Sequence, residues 1–223
     1  MLRIEIRAGE GGEDAKGLVI WLFKIYTTYL NKIDIKPKNV KKAPGFITFN
    51  VKNISFFNDE AGGHRIQRIP PTEKRGRTHT STVTVAVLKE GHVTEVKINP
   101  NDIHIGYFKA PGSGGQKKNV TSSACRVRHF PTGIIVERSG TRSAYKNKDA
   151  ALQGLQDKLD ERARKKHQGN TRNIRNSQIG SGMRGDKIRT YREQDDVVID
   201  HRTNKKSSLK AIKKGDWSKI KRI

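Results

Sequence analysis

Apolar residues recur at every second position in four short segments of this chain, and this period constrains the fold more than any other feature. Successive side chains of a β-strand point to opposite faces, so such runs are typical of strands with one buried face. The segments are residues 2–6, 47–51, 83–87 and 93–98. A helical period marks residues 14–31. The first hundred residues therefore predict a helix packed on an antiparallel sheet.

A second group of elements follows the turn-forming tetrapeptide at residues 99–102. Alternating runs at 124–130 and 133–138 predict two further strands, and apolar residues at helical spacing predict a helix over about residues 147–166. The expected fold class is α+β, with two small domains that each pair helix with sheet.

The domain boundaries follow from these elements. We expect a first domain over residues 1–99, completed by residues 186–204, and a second over residues 100–170. Residues 171–187 are polar and contain glycine, which indicates a hinge. Residues 205–223 hold eight basic residues and little periodicity, which predicts a solvated tail that becomes ordered on RNA.

The charge of the chain indicates its class of partner. Lys and Arg number 46 against 22 Asp and Glu, a formal net charge of +24. Such a field favours a polyanion. Aromatic residues make up only 6% of the sequence, which argues against a protein that binds single strands mainly by base stacking. We therefore expect a large folded RNA as the partner.

Cysteine and histidine usage excludes several kinds of site. Cys125 is the single cysteine, so an intramolecular disulfide and a Cys-based zinc site are excluded, and we interpret it as a buried strand residue. The histidines show no metal-binding spacing, so neither a metal nor a cofactor is indicated. The N-terminus does not resemble a signal peptide, and the apolar run at 17–23 is too short to cross a bilayer. We expect no membrane association and a cytoplasmic or organelle-matrix location.

The tripeptide Gly114-Gly115-Gln116 is the strongest indication of chemistry. Two glycines permit φ > 0 and carry no Cβ, so a main-chain N–H can be pressed against a reacting group. Gln116 offers only an amide, and the loop holds no nucleophile, strong base or metal ligand. We expect it to place donors around a developing negative charge while water attacks. The spacing does not fit a phosphate-binding loop, and the Gly-x-Gly-x-x-Gly match at 180–185 follows a polar run rather than a strand.

Several segments of the chain, in family order, resemble segments of the class I bacterial-type peptide chain release factors. They are residues 7–15, 63–72, 76–81, the Gly-Gly-Gln loop with Asn119, residues 145–148, and residues 189–191 with 200–202. The resemblance covers nearly the whole chain. Full-length members place a helical domain before the strand at Met1, and the resemblance implies that this chain lacks it.

The resemblance implies a translation termination factor that contacts both ribosomal subunits. One domain would read the stop codon of the mRNA, and a Gly-Gly-Gln domain would promote hydrolysis of the peptidyl-tRNA ester in the peptidyl transferase centre. Activity would require the ribosome, so the chain is not expected to be an autonomous enzyme. Gly114, Gly115 and Gln116 match the catalytic loop, in which the main-chain N–H of the glutamine stabilises the reaction. The Gln116 amide matches the family's methylation site, which implies an N5-glutamine methyltransferase as a partner of the monomer.

The resemblance also assigns codon-reading positions. Residues 70–72 match the Pro-x-Thr tripeptide of the type that reads UAA and UAG, and residues 171–187 match the family's switch loop. Asp14 stands where the family usually has Glu, and the shorter side chain is expected to loosen the first-base contact. The implied codon-reading residues are Gly11, Asp14, Gln67, Pro70, Pro71, Thr72, His79 and Thr80.

Two alternatives stand beside this reading. A codon-independent ribosome-rescue release factor would share the Gly-Gly-Gln domain and commonly ends in a basic tail. A non-catalytic RNA-binding module would account for the charge but not for the Gly-Gly-Gln loop. Residues 70–72 with His79 and Thr80 favour codon reading, because a rescue factor would have no use for them.

Overall fold

The computed structural model describes residues 1–71, 73–91, 96–110 and 120–221. The chain divides into two compact units. Unit 1 consists of Met1–Gly91 and Thr171–Ile223, and unit 2 consists of His92–Asn170. The α+β class predicted from the sequence is confirmed. The first segment of unit 1 ends at Gly91, whereas the sequence placed the boundary after residue 99.

Unit 1 is built on a mixed sheet. In chain order its strands are β1 (Leu2–Ala8), β2 (Lys38–Ala43), β3 (Phe46–Val51), β4 (Gly62–Arg68), β5 (His79–Lys89), β9 (Arg189–Arg192), β10 (Val197–Asp200) and β11 (Lys206–Ser208). Within the described residues they lie in the order β11-β10-β9-β4-β5-β1-β3-β2. Neighbours are antiparallel except β4 and β9, which are parallel. Residues from both segments of unit 1 therefore share one sheet.

Helix α1 (Gly12–Lys32) covers one face of this sheet. The register of β1 on β3 places Ile4 opposite Phe49 and Ile6 opposite Ile47, and all four side chains are buried. The apolar face of α1 packs against them through residues such as Leu22. Burial of each such side chain contributes about 1.5 to 3 kcal/mol. The predicted helix and the first three alternating strands are thus present where expected.

The C-terminal segment is not a solvated tail, and that prediction is wrong for residues 205–221. After β11 comes helix α3 (Leu209–Lys213), with the Ser208 side chain as its N-cap. Trp217 is fully buried and Ile220 is 3% exposed. Apolar residues at positions 209, 212, 217 and 220 pass between the lysines and join the core, so hydrophobic burial outweighs the segment's charge.

The expectation of a hinge is also wrong for residues 171–179, because helix α2 (Ala144–Ile179) continues through them. Two contacts within unit 1 hold this polar turn of helix. Arg175 donates from Nε and Nη2 to the Glu5 carboxylate at 2.8 and 3.0 Å. The Gln178 amide accepts from the main-chain N–H of Val87 and donates to its carbonyl, each at 2.8 Å. Tertiary contacts override the weak local preference for helix.

Unit 2 contains a sheet of order β6-β7-β8 in the described residues, formed by β6 (Ile103–Phe108), β7 (Ala124–His129) and β8 (Ile135–Arg138). Its inner face packs on α2, where Cys125 and Leu155 are fully buried. The interpretation of Cys125 as a buried strand residue is confirmed. The strand predicted over 93–98 is wrong for 96–98; Asp160 and Gln156 of α2 bond the Val96 main chain instead. Residues 93–95 lie outside the described residues.

Candidate nucleic-acid interface

The described codon-reading candidates meet at one end of unit 1, where α1 and β5 begin and β4 ends. In the antiparallel pair of β4 and β5, Gln67 faces Thr80 and Arg68 faces His79. The amide Nε2 of Gln67 lies 3.5 Å from Oγ1 of Thr80. The Gln67 amide and the Thr80 hydroxyl can each donate and accept a hydrogen bond. This end of the sheet therefore presents a pair of groups whose donor and acceptor roles can be exchanged.

Gly11 lies at the N-terminus of α1 because no other residue fits there. Its φ is 129°, in the left-handed half of the map. A Cβ at Gly11 would stand 2.3 Å from Oγ of Ser81. The neighbouring Glu10 is bound to Thr82 of β5. The Glu10 N–H donates to Oγ1 of Thr82, and the Thr82 N–H donates to the Glu10 carbonyl, each at 2.8 Å. These contacts fix the tip of α1 against the first residues of β5.

Asp14, in the first turn of α1, is tied to the end of β4. Its Oδ1 accepts from Nε and Nη2 of Arg68 at 3.2 and 2.6 Å. The side chains of Asp14 and Arg68 are 7% and 14% exposed, respectively, so this ion pair is largely shielded from water. Oδ2 of Asp14 is buried and has no hydrogen-bond partner among the described residues. The carboxylate thus anchors the helix tip and retains one unused acceptor.

The loop between β4 and β5 is organised around the carboxylate of Glu73. Oε1 accepts from the main-chain N–H of Arg75 at 2.8 Å. Oε2 accepts from Nη2 of Arg77 at 3.2 Å and from Nε2 of His79 at 2.7 Å. The Arg75 hydrogen bond, and after it those of His79 and Arg77, lower the pKa of Glu73. Glu73 was missed by the sequence analysis, and it fixes the orientation of the His79 ring.

The remaining candidates divide between described and undescribed residues. Pro70 is buried and Pro71 is exposed, and the Pro70 carbonyl accepts from the Glu73 N–H at 3.0 Å. Thr72 and the tripeptide predicted to be catalytic, Gly114 to Gln116, lie outside the described residues. The structure therefore brings Gly11, Asp14, Gln67, Pro70, Pro71, His79 and Thr80 into one region of unit 1.

Positive charge lies beside this region on β4 and β9. Arg65 lies two residues before Gln67 and points to the same face of β4. Burial, and then the neighbouring Arg192, lower the pKa of Arg65. Burial, followed by the charges of Lys187 and Arg65, lowers the pKa of His201. Arg65, Arg192 and Lys187 thus lie close enough to affect the pKa of a neighbouring group, and such a set of cationic side chains creates a field that attracts phosphate groups.

Two family models match the chain. The PCRF domain matches residues 2–85, and the RF-1 domain matches residues 92–202. The chain belongs to the class I peptide chain release factor family. Peptide chain release factor 1 of Carboxydothermus hydrogenoformans is 40% identical over 97% of this chain and 63% of its own length. That of Thermoanaerobacter pseudethanolicus is 44% identical over 89% of this chain and 58% of its own.

A solved structure, RF2 of Thermus thermophilus, is 32% identical and matches with a TM-score of 0.53 over 97% of this chain and 65% of that one. The chain thus spans about three-fifths of the length of the curated relatives that it matches.

Unit 1 of this release factor family member also holds a buried ion cluster, formed by Glu60, Arg189, Asp200 and Lys221. Nη1 of Arg189 donates to both Glu60 oxygens at 2.7 and 2.9 Å, and Nη2 donates to Oδ2 of Asp200 at 2.9 Å. Nζ of Lys221 lies 2.6 Å from Oε1 of Glu60. The cluster joins β9 and β10 to the C-terminal segment.

The charges of the cluster control its protonation. Burial alone would raise the pKa of Glu60, but the charges of Arg189 and Lys221 hold it well below its usual range. Burial lowers the pKa of His64 to about 4. Nε2–H of His64 donates to the Glu60 carbonyl at 3.0 Å, since a carbonyl only accepts, and Nδ1 accepts from the Tyr191 hydroxyl at 3.2 Å. His64 is therefore neutral at pH 7.

The sequence contained a signal for this cluster. Arg189 and Asp200 carry opposite charges and are register partners on β9 and β10, at inward positions that they share with apolar residues of the same strands. Opposite charges at core-facing positions of adjacent short strands predict a buried pair.

Among the residues that the structure describes, no group of three or more His, Cys, Asp or Glu side chains could hold a metal ion. No helix in the described part of the chain is long and apolar enough to cross a membrane.

Proposed function

We propose that this protein is a translation termination factor that recognises the stop codons UAA and UAG and triggers hydrolysis of the peptidyl-tRNA ester on the ribosome. The observation that carries the proposal is the meeting of Gly11, Asp14, Gln67, His79 and Thr80 at one end of the unit 1 sheet. These residues lie far apart in the sequence and are the ones that match the family's codon-reading positions.

Codon reading follows from the chemistry of these groups. The Thr72 hydroxyl bonds an adenine at the second position, whereas guanine presents an acceptor where adenine presents a donor. At the third position the Gln67 amide and the Thr80 hydroxyl can reverse their roles, so adenine and guanine are both accepted. His79, oriented by Glu73, stacks on a base and separates it from its neighbour. Asp14, held by Arg68, meets the first uridine.

Ester hydrolysis is assigned to Gly114, Gly115 and Gln116. The main-chain N–H of Gln116 stabilises the oxyanion that develops as water attacks the ester, and the ribosome supplies the surrounding site. The Gln116 side-chain amide is the proposed substrate of an N5-glutamine methyltransferase. The proposed mechanism uses no nucleophile or base from this loop. The protein therefore acts as a release factor on the ribosome and not as an autonomous hydrolase.

The two units take separate roles under this proposal. Unit 1 is the codon-recognition domain, and unit 2 is the peptidyl-release domain. The non-helical part of the predicted switch, residues 180–187, contains the Asp186 carboxylate, which accepts from the Ser181 N–H at 2.7 Å. Rearrangement of this loop would couple codon recognition to movement of the release domain. We further propose a monomer that works in the cytoplasm or an organelle matrix.

The rescue alternative loses one of its supports. It rested on a free basic tail, but residues 205–221 fold into unit 1, with Trp217 fully buried.

A single-turnover release assay tests the choice between these functions, with ribosomes that carry formylmethionyl-tRNA in the P site. The A site holds UAA, a sense codon or no mRNA. We expect release only with UAA. Equal release without mRNA would establish rescue, and binding without release in every case would leave an RNA-binding module.

A further inference from the structure

The outer face of the unit 2 sheet combines arginines with exposed rings. Its inner face is covered by α2, whereas the outer face carries Phe130, which is 57% exposed. Cζ of Arg126 lies 5.2 Å from the centroid of the Phe108 ring, and Cζ of Arg128 lies 5.8 Å from that of Phe130. Stacked guanidinium groups and aromatic rings are the surface on which proteins bind nucleotide bases.

A glycine lies in the middle of this face without a structural reason. Gly106 is an interior residue of β6, between His104 and Phe108 on the same face and opposite Arg126 in the register. Its φ is not in the left-handed region, and among the described residues a Cβ would meet nothing closer than Cε1 of His104 at 3.8 Å. Glycine weakens a strand, and where neither conformation nor packing demands it, it often marks the close approach of a ligand.

The charge of the face selects the kind of ligand. Arg126 is paired with Glu137 at 2.6 Å. In the described part of the chain, no carboxylate lies within ion-pair distance of Arg128. Most of these residues line one concave surface, formed by His104, Gly106, Tyr107, Phe108, Arg126, Arg128 and Ile135. An unpaired cation beside a bare strand segment and rings fits a planar base attached to a phosphate.

We propose that this face, defined by His104, Gly106, Phe108, Arg126, Arg128 and Phe130, binds one unpaired base displayed by a folded RNA. The base occupies the space over Gly106 and stacks beside Phe108, and its phosphate lies near Arg128. The inference concerns RNA binding by unit 2 and does not depend on codon reading or ester hydrolysis.

Two RNA hairpins with the same stem test the proposal on the full chain. One carries a single bulged 2-aminopurine, and in the other that nucleotide is paired with uridine. Anisotropy of an end label gives Kd, and 2-aminopurine fluorescence reports stacking. We expect the bulged hairpin to bind about 5-fold to 140-fold more tightly, the range for stacking of one base on an aromatic ring.

Variants locate the site. Gly106→Val fills the space over β6 with a residue that strands favour, so we expect an unchanged or higher melting temperature and no preference for the bulge. Phe108→Leu should also remove the fluorescence change. It provides a second test of the site if Gly106→Val does not fold. Arg128→Gln should weaken binding to both hairpins and flatten its salt dependence by about one phosphate contact.

The matched charge control is Arg164→Gln, at an exposed position of α2, which should leave both affinities unchanged. Equal affinity of the wild type for the two hairpins would overturn the proposal. So would folded Gly106→Val or Phe108→Leu protein that keeps the full preference for the bulged hairpin.

Discussion

Replacing Lys221 with Met should destabilise unit 1 by about 3 kcal/mol. Met keeps most of the side chain's packing, so the loss is mainly electrostatic. Removing one partner of a buried ion pair costs about 3 to 5 kcal/mol. We expect the lower end, because Glu60 keeps two hydrogen bonds from Arg189 and one of 2.5 Å from the Tyr26 hydroxyl. A loss of this size is a large part of a typical domain stability of about 5 to 15 kcal/mol.

A double-mutant cycle isolates the interaction. In the variant with both Glu60→Gln and Lys221→Met, the cluster retains Arg189 and Asp200, whose side chains are 2.9 Å apart and opposite in charge. The double variant should therefore lose at least about 1 kcal/mol less than the sum of the two single losses. Lys221→Met leaves Glu60 with one of its two cationic partners, and Glu60→Gln leaves Lys221 without its carboxylate partner, whereas the double variant removes both charges of this pair.

Urea unfolding followed by tryptophan fluorescence measures these losses. The two tryptophans, Trp21 and Trp217, both belong to unit 1, so the signal reports that unit alone. Lys219→Met is the matched control, because Lys219 is exposed two residues away; its effect should stay within about 0.5 kcal/mol. A Lys221→Met stability equal to that of the wild type, or strictly additive losses, would refute the proposed role of the buried ion cluster.

Three further predictions concern His64, Glu73 and Gln116. Folded His64 has a pKa of about 4, so between pH 6.5 and 4 the unfolded chain binds a proton at His64 that the folded chain does not. The free energy of unfolding of the wild type should therefore fall by about 3 kcal/mol as the pH is lowered through this window. In urea titrations, His64→Gln should lack this part of the pH dependence. Glu73→Gln should free the His79 ring and lower kcat/KM for release on UAA about 10-fold to 100-fold. Glu193→Gln, which changes a carboxylate in a partly exposed ion pair with Lys213, is the control and should leave kcat/KM unchanged. Gln116→Pro removes a main-chain N–H and should slow single-turnover release about 100-fold to 1,000-fold with ribosome binding retained; an unchanged rate would disprove the role of this loop.

The alternating apolar runs predicted the part of the unit 1 core that β1, β3 and β5 contribute. Residues such as Ile4, Phe49 and Val85 are buried because strand period and hydrophobicity agree there. The elements that were missed depend on distant partners. The polar turn around Arg175 is helical because Glu5 and the Val87 main chain bind it, and no local pattern records those contacts.

The candidate site shows the same division. The candidate codon-reading residues were predicted through family resemblance, since a glutamine, a histidine and a threonine have no chemical signature of their own. Glu73 was missed because its role arises only when the loop folds around its carboxylate. The prediction for the C-terminal segment was wrong because it rested on the eight basic residues and not on the apolar residues between them, such as the buried Trp217.

The central claim, that unit 1 reads UAA and UAG, is tested most directly by kcat/KM for release on UAA, UAG, UGA and the sense codon CAA. We predict similar values on UAA and UAG and a lower value on UGA. Loss of the Thr72 contact alone would cost about 1 to 3 kcal/mol, and the His79 ring held by Glu73 adds to the discrimination. CAA should give the lowest value, and a value on CAA near that on UAA would show that the short Asp14 side chain does not hold the first base. A value on UGA equal to that on UAG would contradict the account.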